Sequence, residues 1–147
     1  MGYEQSFNKR NQTIIAEPMA EEYFKSKGLT YTRYGFDALF DLDRNDFIKI
    51  PSVLRSTPDF MVIGENASLV EAKGCIWAFR LKVDDLKLYE WWDKLCTLYI
   101  FVYSTAHKTH KIRGLKQIND IISGPNCTVD TYPDNGKLYY KIPFKEL

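Results

Sequence analysis

The chain is poor in cysteine and histidine, and it has no hydrophobic run long enough to cross a membrane. Its 147 residues include three cysteines, Cys75, Cys96 and Cys127, at spacings that match no zinc or redox motif. The two histidines, His107 and His110, have no further ligands near them in the sequence, so a zinc site is not predicted. The odd cysteine count, and an N-terminus without the apolar stretch of a signal peptide, lead us to expect a reduced, cytoplasmic chain.

Neither sign of charge is in excess. The 20 basic and 19 acidic residues give a formal net charge of +1, which argues against a protein that coats nucleic acid through its overall charge. Hydrophobic residues make up 45% of the chain and aromatic residues 15%, so a folded core is expected instead of disorder. We expect one domain spanning residues 1–147, with residues 1–12 as a polar N-terminal arm.

A β-hairpin is predicted between residues 59 and 73. Two apolar runs, Phe60–Ile63 and Ala67–Lys73, are separated by Gly64-Glu65-Asn66, whose glycine and asparagine tolerate the positive φ of short hairpin turns. If the turn centres on its middle residue, Asp59 lies across the hairpin from Glu71. The open end of an apolar hairpin therefore carries two carboxylates.

Glu71 and Lys73 share one face of the second strand, because side chains alternate along a strand. Asp59, Glu71 and Lys73 then converge, and buried like charges are costly unless something neutralises them. A divalent cation held by the two carboxylates would do so, and oxygen ligands suit Mg²⁺. The alternative is an exposed hairpin on which Glu71 and Lys73 form a weak ion pair.

These residues resemble a known group of nucleases. The blocks that carry the resemblance are Ala16-Glu17 followed by Ser26-Lys27-Gly28-Leu29, then Thr57-Pro58-Asp59-Phe60, then Val70-Glu71-Ala72-Lys73-Gly74. They are similar to the PD-(D/E)xK nuclease superfamily, and in particular to the phage endonuclease I type of junction-resolving enzyme. The resemblance implies that Glu17, Asp59 and Glu71 bind Mg²⁺, with Mn²⁺ as a substitute, and that all three act in catalysis with Lys73.

The acid from the first helix has two alternatives. Pro18 follows Glu17, and proline is best placed in the first turn of a helix, so Glu17 would lie at the helix entry instead of inside the helix. Glu21 and Glu22 are then the other candidates for the metal site.

The order of predicted elements agrees with the fold that this resemblance implies. That fold is an α/β restriction-endonuclease-like fold with an αβββαβ core and a mixed sheet flanked by helices. Besides the hairpin, the sequence predicts a helix over Thr13–Lys27, a strand over Leu29–Tyr34, a short strand at Phe47–Ile50, a helix over Val83–Leu95, a buried strand over Leu98–Tyr103, a helix over Gly114–Ile122 and a final strand over Lys137–Ile142.

Basic residues concentrate between residues 106 and 116. Lys108, Lys111 and Arg113 are the predicted contacts to the DNA backbone, since lysine and arginine neutralise phosphates. A solvated basic loop is the alternative. The next candidates for the DNA path are Lys9, Arg10 and the residues around Arg80 and Lys82.

The sequence therefore predicts a Mg²⁺-dependent endodeoxyribonuclease. The resemblance further implies branched or junction DNA as the substrate, a phage as the source, and a homodimer, because two strands must be cut. The alternatives are a transposon-end or restriction-type nuclease of the same fold, and a nuclease-like domain that binds nucleic acid without cutting it.

Overall fold

A computed structural model of the protein describes residues 15–35 and 44–147. The predicted N-terminal arm, the predicted helix start at Thr13, and Lys9 and Arg10 lie outside these ranges. In the described part, residues 15–26 form helix α1. The elements after it are β1 (Thr30–Arg33), α2 (Arg44–Lys49), α3 (Ser52–Arg55), β2 (Phe60–Ile63), β3 (Ala67–Cys75), β4 (Ala78–Lys82), α4 (Val83–Leu95), β5 (Leu98–Ser104), β6 (Thr109–Gly114), α5 (Leu115–Ile122), β7 (Thr128–Thr131) and β8 (Leu138–Pro143).

Five strands form the main sheet, in the order β1-β2-β3-β5-β6. Neighbouring strands are antiparallel except for β3 and β5, which are parallel. Helix α4 lies between these two strands in the sequence, as expected because a parallel pair needs a crossover connection. A small antiparallel sheet of order β4-β8-β7 lies beside it.

Helices cover both faces of the main sheet. On one face, Ala16, Ala20 and Phe24 recur every fourth residue along α1, and they pack against buried side chains of β2, β3 and β5. On the other face, β3 and β5 pack against α4, α5 and the inner side of the small sheet. The predicted α/β class, with a mixed sheet flanked by helices and the core order α1-β1-β2-β3-α4-β5, is confirmed. No helix within the described residues combines the length and apolarity needed to span a membrane.

The end of α1 follows the sequence prediction closely. Gly28 has a φ of +66°, and the amide of Leu29 donates to the carbonyl of Phe24 while that of Gly28 donates to Lys25. This pair of bonds is a Schellman cap, in which glycine takes the left-handed conformation at low cost. Residues 15–26 are helical, so Glu17 lies inside the helix together with Pro18.

One local prediction was wrong. Residues 47–49 of the strand predicted at Phe47–Ile50 belong to helix α2, Arg44–Lys49, and Ile50 follows its end. Asp46 in the first turn and Lys49 in the last turn complement the helix dipole, and their charged groups lie 3.6 Å apart. The short apolar run Phe47-Ile48 therefore follows the helical preference of the charges on either side of it. Strands β4, β6 and β7 and helix α3 were not predicted.

Candidate active site

The hairpin of β2 and β3 brings Asp59 to Glu71. Phe60 pairs with Val70, so the residue before β2 stands next to Glu71, the arrangement predicted from the turn. The Oδ2 atom of Asp59 accepts a hydrogen bond of 2.8 Å from the backbone amide of Ala72, which fixes the carboxylate at the edge of β3. The position of Asp59 therefore depends on strand register and on a backbone donor.

Glu71 and Lys73 point to the side of β3 that faces helix α4. The same side carries Leu69 and Cys75, which are buried in the core beneath α4. The side chain of Glu71 is only 10% exposed and that of Lys73 33%, and Nζ of Lys73 lies 3.5 Å from Oε1 of Glu71. This is a nearly buried ion pair and not the exposed pair of the alternative interpretation.

The carboxyl groups of Asp59 and Glu71 both hold protons more tightly than usual. Burial raises the pKa of Asp59, against the opposing effect of the Ala72 amide. Burial also raises the pKa of Glu71 well above its ordinary range, against the opposing effect of Lys73 and reinforced by the charge of Asp59. Two adjacent carboxylates repel each other when both are ionised, and a bound cation would stabilise that ionised state.

Lys73 is held in its charged form. Its pKa is raised well above the ordinary value first by the nearby phenol of Tyr89, against desolvation by burial, and further by the negative charges of Glu71, Asp59 and Asp85. Burial raises the pKa of Tyr89 in turn, so its phenol is neutral at physiological pH. Lys73 is therefore suited to donate hydrogen bonds and not to accept a proton.

Sequence reasoning missed the contribution of helix α4 to this site. The helical spacing of Leu86, Tyr89 and Trp92 is typical of core residues, and all three are buried. Asp85 lies four residues before Tyr89, on the same face of the helix. That i, i+4 pairing of an acid with a tyrosine, in the helix following the Lys73 strand, was the available signal.

Arg33 on β1 holds two acids of α1. Its guanidinium bonds Glu17 at 2.9 Å and Glu21 at 3.1 Å, and it lies 5.4 Å from the ring centre of Phe60, its partner across the sheet. The charge of Glu17 raises the pKa of Asp59, which shows that Glu17 lies within electrostatic reach of the site. Glu21 bonds the same guanidinium, and Glu22 is exposed.

The donor set is suited to a hard cation and incomplete without other ligands. Over residues 15–35 and 44–147, no group of three or more His, Cys, Asp or Glu side chains is arranged to hold a metal ion. Asp59 and Glu71 supply two carboxylates, while Glu17 is occupied by Arg33. Mg²⁺ commonly takes one or two carboxylates and completes its shell with water and substrate phosphate, so the residues present fit this ion.

The predicted DNA contacts lie on and beside β6, in different surroundings. Lys111 donates from Nζ to the main-chain oxygens of Phe144 and Leu147 at 3.0 Å and of Lys145 at 3.3 Å. Arg113 donates to the main-chain oxygens of Ile112 at 2.7 Å and of Leu147 at 2.8 Å. Lys108 is exposed, in a turn where its φ is +53°.

The two histidines do not form a metal pair in the described structure. The Nδ1 atom of His107 lies 2.9 Å from the hydroxyl of buried Ser104, whereas the ring of His110 stacks on Phe101 with centres 4.6 Å apart. Their side chains are thus engaged in different parts of the structure.

Comparison with solved structures finds D212, a nuclease from a fusselovirus. The two chains are 10% identical, the match covers 96% of this chain and 84% of that one, and the TM-score is 0.52. At this identity the likeness shows a shared fold. No protein-family model matches the chain, and no curated protein matches it.

Proposed function

We propose that this protein is a Mg²⁺-dependent endodeoxyribonuclease of the PD-(D/E)xK type, which cleaves phosphodiester bonds in the cytoplasm. The observation that carries the proposal is the convergence of Asp59, Glu71 and Lys73, which places two carboxyl groups of raised pKa beside an ammonium group. The similarity of the fold to that of a fusselovirus nuclease supports it.

Asp59 and Glu71 would hold the metal, which when bound supplies a Lewis acid and a more acidic water. Each residue also has a role that follows from its own contacts. The Ala72 amide keeps Asp59 oriented, so its remaining oxygen atom can serve as a ligand. Lys73 donates hydrogen bonds to the attacking water or to the phosphate oxygens on which charge develops, since its ammonium stays protonated.

Glu17 would join this site by exchanging one partner for another. In the structure its Oε2 atom accepts from Arg33. With a cation held by Asp59 and Glu71, the negative charge of Glu17 would gain a second attractive partner. Arg33 retains Glu21 in that state, so the guanidinium does not lose both of its acids.

The finer assignments of substrate and assembly come from the family resemblance. We propose branched or junction DNA as the preferred substrate, in the host cell if the chain is from a phage, and a homodimer as the unit that cuts both strands. Cleavage in Mg²⁺ or Mn²⁺ should be compared on linear duplex, single-stranded and four-way-junction DNA. Equal cleavage of linear duplex would favour a restriction-type or transposon-end nuclease, and binding without cleavage of any substrate would favour a non-cleaving domain.

Replacing Lys73 separates chemistry from binding. Lys73→Ala should lose cleavage while keeping its affinity for DNA, because one ammonium beside the metal acts on the reacting groups. Lys87→Ala, at an exposed position on α4, is the control and should cleave normally. Affinity is measured in Ca²⁺, which supports binding without turnover. A Lys73→Ala protein that cleaves at the normal rate would remove Lys73 from the mechanism.

A further inference from the structure

The outer face of the small sheet carries three cations. Phe79 and Leu81 of β4 and Ile142 of β8 point into the core. Because side chains alternate, Arg80 and Lys82 point outward from β4, as Lys141 does from β8. Arg80 and Lys141 are exposed, and they are direct partners across the two strands.

Within residues 15–35 and 44–147, no acidic side chain is paired with these cations, Arg80, Lys82 and Lys141. The acid on this face, Asp130 of β7, accepts a hydrogen bond from the amide of Thr131. Like charges directly opposite in a sheet are destabilising, so the pairing of Arg80 with Lys141 favours an external anion between them.

Two tyrosine rings contact two of these cations. The rings of Tyr132 and Tyr139 are in contact, with centres 4.4 Å apart. The guanidinium of Arg80 lies 5.3 Å from the centre of Tyr139, and the ammonium of Lys82 lies 5.8 Å from that of Tyr132. Cation–π contacts of this kind hold a charge in place without neutralising it.

This face is connected to the candidate active site. Lys82 is the residue that precedes α4, the helix that carries Asp85 and Tyr89 toward Lys73. Burial raises the pKa of Tyr132, and the charges that act on it include Arg80, Asp85 and Lys73. One tyrosine thus lies within electrostatic reach of both the cationic face and the catalytic lysine.

We propose that the outer face of the β4-β8-β7 sheet, through Arg80, Lys82 and Lys141, binds the phosphate backbone of duplex DNA and leads it to the site at Asp59 and Glu71. The proposal rests on the nuclease function proposed above and adds the surface that recognises the substrate. Contacts to phosphate carry no sequence information, so this face positions DNA of any sequence.

The test is a triple variant in which Arg80, Lys82 and Lys141 become glutamine, which keeps much of the side-chain stem and removes the charge. Affinity for a short duplex is measured in Ca²⁺ from about 50 to 200 mM salt. Each lost phosphate contact lowers the log–log salt slope by about 0.9, so the triple variant should lose roughly 2.7 units of slope. Lys141→Gln alone should lose about 0.9.

The matched control replaces Lys25, Lys87 and Lys94 with glutamine. These lysines are exposed on α1 and α4, and their loss changes the net charge by the same amount. The inference is supported if the control keeps the wild-type slope while the triple variant loses it. It is overturned if the two variants bind alike, or if Lys141→Gln, which removes an exposed side chain, leaves the slope unchanged. If the wild-type protein neither binds nor cleaves DNA in Mg²⁺, the proposed nuclease function itself fails.

Discussion

Strands β3 and β6 lie on either side of β5, and each carries two charged residues whose surroundings are opposite in kind. Glu71 and Lys73 of β3 are crowded with Asp59 in a nearly buried site, and the pKa of each of the three is displaced. Lys111 and Arg113 of β6 donate five hydrogen bonds to main-chain oxygens, four of them in the last residues of the chain. The charges beside β3 include two carboxylates that a bound cation would stabilise. The charges of β6 are already bonded to main-chain oxygens, and they stabilise the packing of β6 against the last residues of the chain.

The largest effect is expected at the carboxylates beside β3. Asp59→Asn and Glu71→Gln keep side-chain volume and remove a negative ligand, and each should abolish detectable cleavage. Loss of one preorganised electrostatic group costs on the order of 10²–10³ in rate, about 2.7–4 kcal/mol, and loss of a metal ligand should cost at least this much. Cleavage is measured in Mg²⁺, with Glu22→Gln on α1 as the control. Full activity in either variant would remove that residue from the metal site.

Glu17 resembles the cations of β6 in having a bonded partner within the fold, Arg33. It also belongs with the charges beside β3, because its own charge raises the pKa of Asp59. Glu17→Gln should reduce cleavage by roughly 10–100-fold, the effect expected of a residue that completes or orients a metal site. Glu21→Gln should have a much smaller effect, although Arg33 bonds both acids. The comparison is made by cleavage rates and by the Mg²⁺ concentration that gives half-maximal rate. A normal Glu17→Gln beside an inactive Glu21→Gln would make Glu21 the third acid.

The parts that sequence reasoning predicted well are those determined by neighbours in the chain. The turn at Gly64-Glu65-Asn66 determines the register that places Asp59 beside Glu71, and α4 has the predicted bounds Val83–Leu95. The hydrogen bonds of Lys111 reach residues 33 to 36 positions away, and Arg80 meets Lys141 across the small sheet. Such pairings depend on how distant segments dock, and no local pattern of residues encodes them.

Strand β6 provides a third prediction, which concerns stability. Lys111→Ala removes three hydrogen bonds from a charged donor and leaves part-buried carbonyls without it. We expect the free energy of unfolding to fall by about 2 kcal/mol, within the range found for hydrogen bonds to charged groups. Lys108→Ala, at an exposed position in the preceding turn, should change it by no more than about 0.5 kcal/mol. Both are measured by urea denaturation.

The same two variants test the predicted DNA contacts at β6. If Lys111 acts mainly on DNA, Lys111→Ala will bind DNA more weakly, and its affinity will depend less on salt concentration. Its unfolding midpoint will stay at the wild-type value. That result would contradict the structural role and assign β6 to the substrate path. A destabilised variant whose folded fraction binds normally would support the contrast between the two strands.

The smallest effect is expected in the pH dependence of stability without metal. The pKa of Glu71 is raised in the folded protein above its ordinary value of 4.5, so the folded state keeps a proton that the unfolded state has released. The stability contributed by this group is full below about pH 4.5 and is lost as pH rises through the folded pKa. Glu71→Gln cannot lose a proton, and its stability relative to wild type should therefore increase from about pH 4.5 upward. Urea denaturation in EDTA over this range gives the difference in the free energy of unfolding between the two proteins. Groups that titrate alike in both proteins cancel from that difference.

Glu22→Gln is the control for this experiment and should follow wild type, because Glu22 is exposed. Added Mg²⁺ should stabilise wild type and leave Glu71→Gln nearly unchanged, since a ligand stabilises only the folded form that binds it. A difference that stays constant with pH would show that Glu71 is not strained by its surroundings, and the contrast between β3 and β6 would then lose its electrostatic basis.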